Sequence, residues 1–370
     1  MSWTRVAGVA LAAMLLSGAS LYGSPQIPGT RAYTESRKGW DAIREGRHED
    51  AAAAFAAALD VEPRDPTLHL GAGLAAHLLG QPTAAQHELE RALELGPSLT
   101  PASLLLGDIL YRGSDVAGAI QVYESAQKYA PNDKTLIARL ETLRREAAVH
   151  NEFMASHGTH FTVLFEGPAD AAVASRATDM LEAAYWRVST ALAIYPERTI
   201  TVVLYTQEQF RDITRSPQWA AAAYDGRIRL PIRGADAALR ELERVITHEF
   251  THALVQSVAP RGVPLWLHEG LAVTFEPEGA AWSQQQLAKE PARLPLRRLA
   301  ESFESLSGAD ARLAYAQSAG IVRTLFDAAG PLALGALLQD LARGETFAVA
   351  FEQRFFQTYE SFITDLEAAH

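Results

Sequence analysis

Residues 246–255 read ITHEFTHALV and place His248, Glu249 and His252 in an HExxH pattern. On a helix, positions i and i+4 lie on one face a turn apart, so both imidazoles can point at a single metal ion. Glu249 then projects beside that ion, where its carboxylate can take a proton from a bound water. Two nitrogen ligands and an adjacent base are the minimal apparatus for zinc-assisted hydrolysis. Three fixed residues in a chain with 11 histidines are only moderately specific, so the surroundings must decide. Leu242, Val245, Ile246, Phe250, Ala253 and Leu254 recur at near-helical spacing and predict a helix with a buried face. Imidazoles set into such a helix need a strong partner, because a buried polar ring without one costs about 1–3 kcal/mol. A metal ion is such a partner.

Zinc also requires a third protein ligand while keeping one position open for water. Residues 264–276, PLWLHEGLAVTFE, meet that need. Glu269 follows His252 across a loop containing Pro260, Gly262 and Pro264, which predicts a helix, a turn and a second helix running back past the first. Trp266, Leu267 and Leu271 are expected to pack on neighbouring elements, and Gly270 to let the helices approach closely. Glu269 is the natural third ligand. Adjacent helical side chains diverge by ~100°, so His268 is expected to pack or to face substrate and not to bind the metal.

HEFTH followed by WLHEGLA resembles the gluzincin metallopeptidases, in which a Glu within a WL-x-EG motif is the third ligand, as in aminopeptidase N. The style is closest to the compact bacterial peptidase MA-like domains, over roughly residues 150–370. The resemblance implies one Zn2+ ion held by His248, His252 and Glu269, with Glu249 as general base. It further implies that Glu276 is the acidic residue behind a ligand imidazole, and that Tyr315, in ARLAYAQSAGIVRTLF, is the tyrosine that donates a hydrogen bond to a developing oxyanion. The chain departs from aminopeptidase N at two points: the interval between His252 and Glu269 is slightly shorter, and the GAMEN strand that binds a free amino end there is absent. Residues 220–232, AAAAYDGRIRLPI, stand in its place, and alternation around Tyr224, Ile228 and Leu230 predicts an edge strand able to hold an extended peptide. An aminopeptidase assignment therefore does not follow.

The elements that must position this site begin near residue 150. HNEFMASHGTH reads as a linker and strand start, and the irregular spacing of His150, His157 and His160 does not suggest a second metal site. FTVLFEG predicts a first strand, residues 169–193 a helix, and RTITVVLYT a second strand, with mostly helical chain from Leu294 onward. Strands ahead of the metal helix and helices behind it give a zincin-like α+β domain with a small sheet.

Residues 30–149 follow a different plan, with a 34-residue period marked by Pro63, Pro97 and Pro131. Ala58, Ala92 and Ala126 share that period, as do Ala51, Ala85 and Ala119. Phe55, Leu89 and Tyr123 hold a large apolar position, and Gly39, Gly73 and Gly107 a small one where paired helices cross. The pattern resembles tetratricopeptide repeats, about three of them, starting near Ala32, Pro66 and Thr100. The polar helix predicted over residues 134–149 would cap the α-helical solenoid. Such arrays imply a protein or peptide partner on their surface, or a buttress for the hydrolase domain.

Composition bounds the alternatives. The 370 residues are 48% hydrophobic, enough for two cores, and the net charge of −11 argues against nucleic acid or an anionic membrane surface as the main partner. The absence of cysteine excludes disulfides, all-thiolate zinc sites and thiol catalysis. Residues 1–24 carry one positive charge and a short apolar core, VAGVALAAMLLSGAS, which predicts export to a bacterial periplasm or cell surface, with cleavage near Ala19 or Gly23 or retention as an amino-terminal anchor. The expectation is an exported zinc metallopeptidase acting on peptide or protein, with a repeat module for a protein partner. The competing reading is a non-catalytic scaffold or chaperone-like protein with a vestigial hydrolase domain. The complete set His248, Glu249, His252, Glu269 and Tyr315 speaks against decay.

Overall fold

The computed structural model describes residues 30–150, 153–167, 170–206, 208–210, 223–224, 226–232, 239–290, 293–300, 303, 306 and 308–368. The apolar residues 1–24 and the start of the 220–232 segment lie outside them. The chain divides into two compact units, with the boundary between residues 151 and 152.

The first unit is made of helices α1 (Arg31–Arg44), α2 (His48–Leu59), α3 (Pro66–Leu78), α4 (Pro82–Leu95), α5 (Thr100–Arg112), α6 (Val116–Gln127) and α7 (Lys134–His150). Pro63, Pro97 and Pro131 fall in the connections that end each helix pair. Side-chain caps fix several starts: Thr30, Asp65 and Asp115 accept hydrogen bonds from the backbone N–H groups of Tyr33, Thr67 and Gly118. Within each pair the small position faces the large one. A Cβ on Gly39, Gly73 or Gly107 would stand 2.8, 2.8 and 2.2 Å from the side chains of Phe55, Leu89 and Tyr123. The repeated glycine thus sets how closely the two helices of a repeat cross. Helix α7 turns Leu136, Leu140 and Leu143 inward and closes the last apolar face.

The second unit opens on a five-stranded sheet in the order β1-β2-β3-β5-β4, built from β1 (Phe153–His157), β2 (Phe161–Glu166), β3 (Ile200–Thr206), β4 (Ala223–Tyr224) and β5 (Ile228–Ile232). β2, β3 and β5 run parallel, and β1 and β4 pair antiparallel at the two ends. Two expectations are corrected here. In the stretch read as a linker and strand start, Phe153–His157 already form a full strand: β1 pairs with β2 from Phe153↔Glu166 to His157↔Thr162. Within residues 220–232, the described residues are not one edge strand but two antiparallel strands, β4 and β5. Gly226, at φ +104, lies between them; β5 is inside the sheet against β3, and of these two strands only β4 lies at an edge.

One face of the sheet carries the core. Phe161, Val163 and Phe165 alternate inward along β2, joined by Val202, Leu204, Ile228 and Leu230 from β3 and β5. Helix α8 (Ala171–Leu192), the crossover between β2 and β3, covers them with Ala177, Leu181, Tyr185 and Val188. Helix α9 (Leu239–Val258) packs on α8 and β5 through Ile246, Phe250 and Leu254, and Arg187 on α8 donates to Thr247 Oγ1 on α9 at 2.6 Å. The chain then forms α10 (Leu265–Phe275), α11 (Gly279–Lys289), α12 (Leu296–Ala300), α13 (Gly308–Ala329), α14 (Pro331–Ala342), α15 (Phe347–Phe355) and α16 (Tyr359–Ala368). Buried Trp266 anchors the start of α10, stacking on Tyr359 and donating to its hydroxyl at 3.1 Å. No single helix among the described residues is long and apolar enough to cross a membrane.

Helices α10 and α13 meet at Gly270. A Cβ there would stand 2.4 Å from the carbonyl oxygen of Ser318 and 2.6 Å from Val322. A backbone atom cannot yield as a side chain can, so Gly270→Ala must push the helices apart. Overpacking of this kind costs about 1–3 kcal/mol, and urea denaturation of the variant is expected to show a loss in that range.

Candidate active site

Helix α9 is continuous through the HExxH residues because its inner face is apolar, with Ile246, Phe250, Ala253 and Leu254 buried. That packing leaves His248 and His252, one turn apart, on the face towards α10. Their side chains are each 16% exposed, so they are not sealed from solvent. Helix α10 returns beside α9 and brings Glu269, at 8%, between them. The two Nε2 atoms lie 3.1 Å apart, and Glu269 Oε2 is 3.5 Å from that of His248 and 3.4 Å from that of His252. These are the three residues that converge closely enough to hold a metal ion among the described residues.

The donor set fits zinc on its own dimensions. Bonds of about 2.0–2.1 Å in a tetrahedron separate ligand atoms by roughly 3.3–3.4 Å, close to all three measured edges. Glu269 Oε2 is buried and accepts no hydrogen bond of good geometry. Such an atom normally costs stability, and a cation at the centre of the triangle satisfies it. Burial disfavours a charged His248, yet its interactions with Glu269 and Glu276 outweigh burial and raise its pKa to about 10. Burial would likewise raise Glu269, but the neighbouring His252 and His248 hold it well below the usual carboxylate range. The cluster stabilises positive charge held between its members.

Glu276 stands just past the end of α10, where it accepts a hydrogen bond from His248 Nδ1–H at 2.6 Å. A carboxylate only accepts, so Nδ1 carries a proton and His248 Nε2 faces the triangle. Glu249, 7% exposed, follows His248 on α9. Tyr315 reaches the site from α13, its ring centroid 6.3 Å from that of His248 and 5.3 Å from that of Phe303, against which it packs edge-on. The charge on Glu269, then burial, then Glu249 and Glu276 push the phenol pKa well above its ordinary value. The hydroxyl therefore keeps its proton and can serve as a donor. Gln317 on the same helix grips the backbone of Leu294 at both ends, with bonds of 3.0 and 2.8 Å, and pins the loop before α12 beside it. His268 stays outside the triangle, its ring 5.7 Å from that of His252.

All six sequence-identified positions, His248, Glu249, His252, Glu269, Glu276 and Tyr315, lie in this one region. One further residue went unread. Arg244, one turn before His248 on α9, pairs with Glu276 Oε2 at 3.2 Å. The i, i+4 spacing to His248 was the available signal, but an arginine on a half-exposed helix turn reads as solvated.

A family model described as Peptidase MA superfamily matches residues 182–365, which include every residue of the cluster. A second, described as tetratricopeptide repeat, matches residues 36–97 and 79–134. No curated protein matches the chain. Among solved structures, the first tetratricopeptide-repeat domain of Spaghetti (RPAP3) bound to the HSP90 peptide SRMEEVD is similar at 21% identity and a TM-score of 0.31, covering 32% of this chain and 96% of that one. The chain thus carries tetratricopeptide repeats over residues 36–134 and a Peptidase MA superfamily domain over residues 182–365.

Proposed function

We propose that the second unit is a zinc-dependent metallopeptidase that hydrolyses peptide bonds, with one Zn2+ held by His248, His252 and Glu269. The observation that carries this reading is the triangle of donor atoms with edges of 3.1–3.5 Å around a buried, unpartnered carboxylate oxygen. Bound zinc would supply Lewis acidity and bring the pKa of a water ligand towards about 7.

The chain's own residues divide the remaining work. Glu249 accepts the proton of the attacking water on its carboxylate and passes it to the nitrogen of the departing amine. Tyr315 donates a hydrogen bond from its phenolic hydroxyl to the oxygen of the attacked carbonyl as charge develops there. Glu276 holds His248 in the tautomer that presents Nε2. The repeats would bind a protein or peptide partner. Export, as expected from residues 1–24, would put this activity in the periplasm or at the cell surface.

Glu249→Gln is expected to lower hydrolysis of a peptide library by about 100- to 10,000-fold while the purified protein still holds one zinc by elemental analysis. Retained activity would refute the assignment of the base. Chelator treatment of the wild type is expected to abolish cleavage, and added zinc to restore it. Tyr315→Phe should raise the barrier to kcat by about 2.7–4 kcal/mol, with little change in KM. A change confined to KM would place the phenol on the substrate and away from the reacting oxygen.

A further inference from the structure

Glu276 holds its position under an unusual handicap. Helix α10 ends at Phe275, and Glu276 already has extended backbone, with φ −56 and ψ 146. No helix backbone fixes the direction of its side chain, and a tight turn follows in which Glu278 takes a left-handed φ of +60. The side chain is nevertheless 7% exposed and aimed at His248. Its two oxygens divide the work: Oε1 accepts from His248 Nδ1–H at 2.6 Å, and Oε2 accepts from Arg244 Nη1 at 3.2 Å.

Arg244 is itself held. Its Nε and Nη2 donate to the two oxygens of Glu241 at 2.9 and 2.6 Å, a paired geometry that fixes the plane of the guanidinium. Glu241, Arg244 and His248 all stand on α9 at spacings of three and four residues, so they share a face. The carboxylate of Glu276 is therefore clamped from one helix at two points a turn apart. If it swings away from His248 it must also leave Arg244. Without Arg244, Oε2 would lose its partner in a largely buried position, and the carboxylate could turn out of line with Nδ1.

We propose that Arg244 is a positioning residue of the metal centre: it fixes the carboxylate of Glu276 so that His248 keeps its proton on Nδ1 and presents Nε2 to the ion. The part that concerns zinc rests on the metallopeptidase reading. The part that concerns the Nδ1–H hydrogen bond does not.

The test uses the full chain as wild type, R244Q, R244K, E276Q and the double variant R244Q/E276Q, with thermal melting to show that each is folded. Zinc affinity is read by competition with a chromogenic chelator, and the hydrogen-bonded Nδ1–H of His248 by NMR of 15N-histidine-labelled, metal-free protein. R244Q should bind zinc about tenfold more weakly, the loss seen when the support of a ligand histidine is removed. It should also lose or broaden the Nδ1–H resonance, and R244K should recover much of both. Because Arg244 acts through Glu276, R244Q/E276Q should bind no more weakly than E276Q alone. An unchanged resonance in R244Q, or the same factor of loss in the E276Q background as in the wild type, would overturn the proposal. A wild type that takes up no zinc would sink the metallopeptidase reading instead, and the Nδ1–H resonance would still decide the role of Arg244.

Discussion

A carboxylate oxygen out of reach of water and without a donor is costly to a fold, and Glu269 Oε2 is in that position. Nothing about helix stability asks for it. Trp266, Leu267, Leu271 and Ala272 surround Glu269 on α10 with side chains that bury well, and an apolar residue in its place would pack at no such cost. The oxygen instead meets two imidazole nitrogens, and the three atoms leave between them a space the size of a tetrahedral ion. Much of the second unit serves to hold that arrangement. The sheet and α8 support α9, Trp266 anchors the entry of α10, and Gly270 lets α13 come close enough to deliver Tyr315.

The first unit solves a different problem with similar means. Each repeat buries one large side chain against a glycine on its partner helix, and the large residue changes from Phe55 to Leu89 to Tyr123 while the glycine stays. The small partner is what fixes the crossing, and the large one can vary within the space it leaves. Gly270 plays the equivalent part between α10 and α13, but there the neighbour is a backbone carbonyl, which leaves less room for variation.

The sequence was legible where one residue pattern has one geometric consequence. His248 and His252 share a face because the helix period demands it, and the 34-residue repeat announces paired helices before any contact is known. Glu276 and Tyr315 were legible only through resemblance, since neither position carries a local signal. β1 was obscure because FMASH lacks alternation and is half exposed along much of its length. The pairing of β4 with β5 was obscure because β5 carries Arg229, buried at 1% exposure, where alternation suggests a surface, and Pro231, which reads as an edge residue. Arg244 was missed for a related reason: its role depends on Glu276, a residue from another helix end that sequence spacing does not bring near it.

Two helices supply both the groups at the centre and the groups that steady them. His248 and Arg244 ride on α9, while Glu269 and Glu276 belong to α10 and the residue just beyond it. A small slide or tilt between these helices therefore does not loosen one contact while sparing the rest. It disturbs the inner and outer arrangements in the same motion. A substitution that shifts either helix would consequently strain the Glu269 contacts with both imidazoles and the Glu276 contacts with His248 and Arg244 together, so tolerance along that seam must be negotiated by both helices at once.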